Sequence, residues 1–171
     1  MRGAECRLHR RVTWRRGGRG WVYARRCEAQ RKGDTVAEAV QTTALLVEDF
    51  DVALITPVRH AVNRGAAAAG LIGQRLEDFV LAVNEIVTNA VRHAGGGGTL
   101  RMWVTEGLLV CEVVDKGAGI PEERLDGEAA LPPSSAVSGR GLWLARHLVD
   151  EVTVTTGDAG TIVRLETAVE D

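Results

Sequence analysis

The stretch Asn84–Ala94, NEIVTNAVRHA, decides the fold. Val83, Val87, Ala90 and Val91 recur at helical spacing. The same apolar face runs back through Leu76, Phe79 and Val80 and on to Ala94. This predicts a helix from about Arg75 to Ala94, stopped by Gly95–Gly98. Glu85 and Asn89 lie four residues apart and therefore side by side on one face. A carboxylate and a carboxamide so placed can position a water or hydroxyl and offer oxygen ligands to a hard cation. Alone, such a pair is usually a solvated helix face.

Working outward, Ala44–Ile55 (ALLVEDFDVALI) reads as an edge strand. Thr56 and Pro57 then suit the N-cap and first turn of a helix ending near Gly70–Gly73. Downstream, Leu100–Thr105 and Leu108–Val114 read as two strands joined at Glu106-Gly107, a hairpin turn. A long loop containing Pro132-Pro133 leads to a helix from Gly141 to about Asp150. Strands Glu151–Thr156 and Thr161–Thr167 close the domain. Helices and strands cluster rather than alternate strictly. The expected class is α/β (α+β): a two-layer sandwich with a mixed, mainly antiparallel sheet covered by helices on one face.

Two further groups carry chemistry. Asp115-Lys-Gly117-Ala-Gly119 follows an apolar strand; its glycines let a ligand approach the backbone, and Asp115 is an acceptor suited to an exocyclic amine. Ser138-Gly139-Arg140-Gly141-Leu142 opens a helix, where backbone N–H groups and the helix dipole form an anion site and Arg140 adds a charge. The Ser138–Leu142 group is not a P-loop, having no GKS or GKT, and is not a GxGxxG after a strand. Each group has a plain reading, a strand-ending turn or a helix start.

Composition bounds the rest. The chain has 171 residues, 45% hydrophobic and 26% charged, enough for one globular domain. No run approaches the apolar length of a membrane span, and the N-terminus lacks the pattern of a signal peptide, so a cytoplasmic protein is expected. Cys6, Cys27 and Cys111 are scattered and suggest neither disulfides nor zinc. Residues 1–34 carry a balance of +8, and residues 35–171 one of −10. The basic segment shows no sustained period and reads as a mostly disordered arm. Its Arg residues with Trp14, Trp21 and Tyr23 would suit nucleic acid; the alternative is a solvated tail.

In this order and spacing, the ExxxN, DxGxG and GxG groups resemble the boxes of the GHKL (Bergerat-fold) ATP-binding superfamily. Gly160-Thr161 resembles its final element. The resemblance covers residues 45–168 and is nearest to the anti-sigma-factor serine/threonine kinases. It implies that Asn89 binds Mg²⁺ at the phosphates of ATP and that Glu85 is the general base. It likewise implies that Asp115 receives adenine above Gly117 and Gly119, with Thr161 nearby. Ser138, Gly139, Arg140, Gly141 and Leu142 would surround the phosphates, with His93 near them or merely capping its helix, and residues 121–137 would form a lid. The implied partners are a sigma factor and a STAS-domain anti-anti-sigma protein; a homodimer is compatible.

One departure stands out: Val137 occupies a position where this branch often has a basic residue. An ATP-gated binding module without phosphotransfer is therefore a second reading. A third, an orphan histidine-kinase catalytic domain, lacks a phosphoacceptor hairpin, because a single helix fits between His60 and the ExxxN helix.

Overall fold

The computed structural model describes residues 8–17, 20–29, 44–121, 125 and 140–169. Chain order gives β1 (Leu8–Gly17), β2 (Gly20–Ala29), β3 (Ala44–Asp51), α1 (Ile55–Ala68) and α2 (Gly73–His93). Then follow β4 (Gly97–Thr105), β5 (Leu108–Asp115), α3 (Arg140–Leu148), β6 (Glu151–Gly157) and β7 (Gly160–Ala168). The strands form one seven-stranded sheet in the order β2-β1-β6-β7-β5-β4-β3. Every pairing between them is antiparallel.

Alternation along the strands builds the core. Leu100 and Met102 of β4, Leu109, Cys111 and Val113 of β5, and Val163 and Leu165 of β7 are buried on one face. Phe79, Val83, Ile86 and Val87 of α2 and Val58 and Val62 of α1 cover that face, giving the expected two layers. The other face carries Arg101, Trp103, Glu112 and Arg164, with the Arg164 guanidinium 5.5 Å from the Trp103 ring centre. Cys111 is a free, buried thiol, and burial pushes its pKa up.

The expected strand from Ala44 is an edge strand, but it ends at Asp51 rather than Ile55, which opens α1. At the hairpin between β4 and β5, Glu106 and Gly107 take φ of 50° and 73°, the paired positive values of a type I′ turn. Thr56 is not the N-cap of α1. The helix begins at Ile55 after Leu54, and Asp51 Oδ1 accepts from the N–H groups of Ala53 and Leu54 instead. Pro57 remains in the first turn, where an N–H has no intrahelical partner.

The expectation of a mostly disordered arm is corrected over residues 8–17 and 20–29, which form two paired strands, the first of them also pairing with β6. Val12 and Trp14 point into the core, 3% and 1% exposed, opposite Val154 and Val152. Arg11 and Arg15, on either side of this pair along the strand, are exposed. On α3 the buried residues are Gly141, Leu142, Ala145 and Arg146. Trp143, Leu144 and Leu148 are half-buried on its flank, and Val149 just beyond its end is buried. The expected lid and the residues Val137, Ser138 and Gly139 lie outside the described residues, apart from Pro121 and Leu125. No helix among the described residues is long and apolar enough to cross a membrane.

Candidate functional site

The site lies where the ends of α2, β5 and β7 meet the start of α3. Its first wall is α2. The apolar face of that helix is pressed on the sheet, which turns Glu85 and Asn89 to its flank, where both are half-buried. His93 continues their line by one more turn and is exposed at the helix end.

The start of α3 lies directly against this pair. A Cβ placed on Gly141 would come within 2.5 Å of Asn89 Nδ2 and 3.2 Å of Glu85 Oε2. A side chain at this position would push the Asn89 and Glu85 side chains aside. Arg140, the first residue of α3, is exposed, while Leu142 is 9% exposed and anchors the first turn in the core. The N–H groups of this turn and the positive end of the helix dipole are suited to receive an anion. Ser138 and Gly139 would extend it but are outside the described residues.

Asp115 ends β5 opposite Thr161 of β7. Its Oδ1 accepts from Gly117 N at 2.9 Å and from Thr161 N at 3.2 Å. Both backbone donors converge on one oxygen, which leaves Oδ2 to accept from a ligand. Burial raises the Asp115 pKa, and those two hydrogen bonds work against the rise. Gly117 lies against Ala94 at the end of α2; a Cβ there would be 2.6 Å from the Ala94 Cβ. Gly119 has φ of 82°, and an added Cβ would meet Gly157 O at 2.8 Å. The DxGxG turn is thus wedged between α2 and the β6–β7 connection.

Thr156 is a site residue that sequence reasoning missed. Its Oγ1 lies 3.0 Å from Thr161 Oγ1 and accepts from Ile120 N at 2.8 Å, tying the loop to both last strands. The signal was present in the alternation of β6, which puts Thr156 on the same face as Val152 and Val154.

Glu85, Asn89, Gly141, Asp115, Gly117, Gly119 and Thr161 are therefore brought to one region. Arg140 and Leu142 join them at the start of α3, and His93 stays at the rim. Among the described residues no group of three His, Cys, Asp or Glu could hold a metal. A single carboxamide oxygen nevertheless fits Mg²⁺, which keeps waters and takes most other ligands from substrate phosphates.

Residues 49–167 match the histidine kinase-like ATPase domain. The serine-protein kinase RsbW of Bacillus pumilus is 30% identical over 118 residues, 61% of this chain and 73% of that protein. The anti-sigma F factor of Caldanaerobacter subterraneus is 31% identical over 103 residues, 54% of this chain and 69% of that protein. A crystal structure of the RsbU and RsbW domains of a Mycobacterium tuberculosis protein shares the fold. Its TM-score is 0.55 at 21% identity, over 85% of this chain and 34% of that longer one. The chain belongs to the histidine kinase-like ATPase family, in the anti-sigma-factor kinase branch of the GHKL superfamily.

Proposed function

We propose that the protein binds ATP with Mg²⁺ and transfers the γ-phosphoryl group to a Ser or Thr of a STAS-domain anti-anti-sigma protein. In the cytoplasm it would sequester a sigma factor when that partner is unavailable. The observation that carries the reading is the seating of Glu85 and Asn89 against Gly141 at the start of α3, with the Asp115 carboxylate held by Gly117 and Thr161. The names of the relatives, serine-protein kinase and anti-sigma factor, support the class of reaction and partner.

In this reading Asp115 Oδ2 accepts from the adenine amine, and Gly117 and Gly119 let the base lie close to the backbone. The N–H groups at the start of α3 and Arg140 receive the phosphates. Asn89 holds Mg²⁺ through its side-chain oxygen, and the ion supplies charge neutralisation at the phosphates. Glu85 accepts the proton of the incoming hydroxyl as its oxygen bonds to the γ-phosphorus; the bond to the β–γ bridging oxygen breaks, and ADP leaves. Most of the acceleration comes from positioning and charge.

The second reading, a nucleotide-gated binding module, is favoured by Val137, the uncharged residue before the Ser138-Gly139 box. Incubation with γ-labelled ATP and the STAS proteins of the same genome separates the two. Kinase action predicts label on Ser or Thr. Glu85→Ala should still bind Mg²⁺·ATP while transfer falls by ~10²–10⁴-fold, the usual worth of a general base. Asn89→Ala should weaken Mg²⁺-dependent binding itself. Binding without transfer to any STAS partner makes the protein the gated module. If both variants bind and transfer like wild type, the Glu85/Asn89 face is only solvated surface.

A further inference from the structure

The hairpin β1–β2 lies outside residues 49–167, the part that matches the family. Yet β1 is fastened to the far end of α3. The Arg146 guanidinium sits 4.4 Å from the centre of the buried Trp14 ring. Arg16 Nη2 donates to the carbonyl of His147 at 2.7 Å, and Arg16 N to that of Asp150 at 2.8 Å. Beside them, Arg15 Nε is 3.4 Å from Glu151 Oε2.

We propose that Trp14 is a positioning residue for the phosphate end of the site. Its ring, seated against Arg146, sets where α3 lies, and so sets how Arg140 and Gly141 meet Glu85 and Asn89. The proposal rests on the nucleotide reading given above for its functional consequence, but not for its structural one.

The argument starts from length. A nine-residue helix is too short to be stable alone, so packing decides its position. It spans about 13 Å and moves as a rod, so a tilt at its last turn displaces its first. α3 packs along α2, with Gly141 closest to Asn89, and its far end is tied to β1 through Arg146 and His147. Glu85 and Asn89 ride on α2, a 21-residue helix whose own apolar face packs on β4 and β5. Loosening β1 therefore changes the position of one wall of the site relative to the other. Arg146 is 7% exposed, and a desolvated cation held over an indole face is worth about thirtyfold in an equilibrium.

The experiment uses the full chain with Trp14→Leu, Trp14→Phe and Val12→Ala. Leu fills much of the volume without a ring, Phe keeps a ring face, and Val12 is the other buried residue of the same strand, opposite Val154. Amide hydrogen exchange across α1 and α3 is measured alongside Mg²⁺·ATP binding by calorimetry. Trp14→Leu is expected to speed exchange in α3 about tenfold while α1 is unchanged, and to weaken ATP about tenfold. Trp14→Phe should restore most of both. Val12→Ala should lower the thermal midpoint but leave α3 exchange and ATP affinity near wild type. Unchanged α3 protection in Trp14→Leu overturns the proposal, as does equal loosening of α3 in Val12→Ala. Wild-type protein that binds no ATP would instead sink the nucleotide reading, while the exchange pattern would still decide whether Trp14 positions α3.

Discussion

Asp115 concentrates the chemistry of the site in one carboxylate. Oδ1 is engaged by Gly117 N and Thr161 N, so an Asn in its place can keep both bonds through its own oxygen. What Asp115→Asn changes is the other atom, from an acceptor to a donor toward the adenine amine that the proposed nucleotide would place there. Two donors facing each other in a buried contact cost on the order of 1–3 kcal/mol, about ten- to hundredfold in affinity. Calorimetric titration with Mg²⁺·ATP should show that loss; equal affinities would remove adenine from this position. The pH dependence follows from the raised pKa of Asp115, whose main cause is burial. The folded carboxyl holds its proton where the unfolded one has released it. Stability from this group therefore falls as pH rises from the ordinary Asp value through the raised one, and is level above. Denaturant unfolding of Asp115→Asn should lack that slope. Protonation also removes the acceptor, so wild-type ATP affinity should begin to drop at a higher pH than a free Asp would give, a component absent from the variant.

Helix α2 was legible because its signal is long. Six turns of apolar residues at a 3.6-residue period leave one face for the core, and Glu85 and Asn89 fall on the flank by the same arithmetic. Ala82 and Ile86, which the sequence reading left out of its face, are also buried, because the sheet wraps more of the helix than a narrow stripe. The hairpin was illegible for the opposite reason. Among its described side chains only Val12 and Trp14 mark the inward face, and Arg at positions 10, 11, 15 and 16 gives the segment the composition of a solvated tail. An edge hairpin can carry such charge because its other face and its outer strand need not be buried. Deletion of residues 1–34 tests which reading of the segment is right. Losing the buried Trp14 alone corresponds to about 3–5 kcal/mol, and Val12 and the β6 ladder are lost with it. The thermal midpoint should fall by about 10 °C or more, given roughly 2–4 °C per kcal/mol for a chain of this size. A truncated protein that melts like wild type would return residues 8–29 to the status of an appended tail.

At the scale of the molecule, the site draws on both layers, which sequence order conceals. Asp115 and Thr161 are 46 residues apart but are cross-strand partners, since β7 inserts between β5 and β6 in the sheet. The GxG box reaches Glu85 and Asn89 only through the packing of α3 on α2. Spacing along the chain could name the boxes but not this convergence, and it said nothing of Thr156 because a Thr in a β-branched strand looks like any other strand residue. Convergence has a thermodynamic consequence. A nucleotide touching β5, β7, α2 and α3 together binds only the folded arrangement of all four, so its binding energy adds to global stability. At a free concentration of one hundred times its dissociation constant, a ligand adds about 2.7 kcal/mol. For a chain of this size, that raises the melting temperature by about 5–10 °C. Scanning calorimetry with Mg²⁺·ATP should show this shift as one cooperative transition. The same scan on Asn89→Ala should give equal, smaller shifts with and without Mg²⁺, because the metal-dependent part needs that oxygen while the adenine contacts at Asp115 remain. A variant that keeps the full Mg²⁺-dependent shift would take Asn89 out of the metal site. A wild-type protein whose melting ignores ATP would show that the four elements meet without forming a nucleotide site.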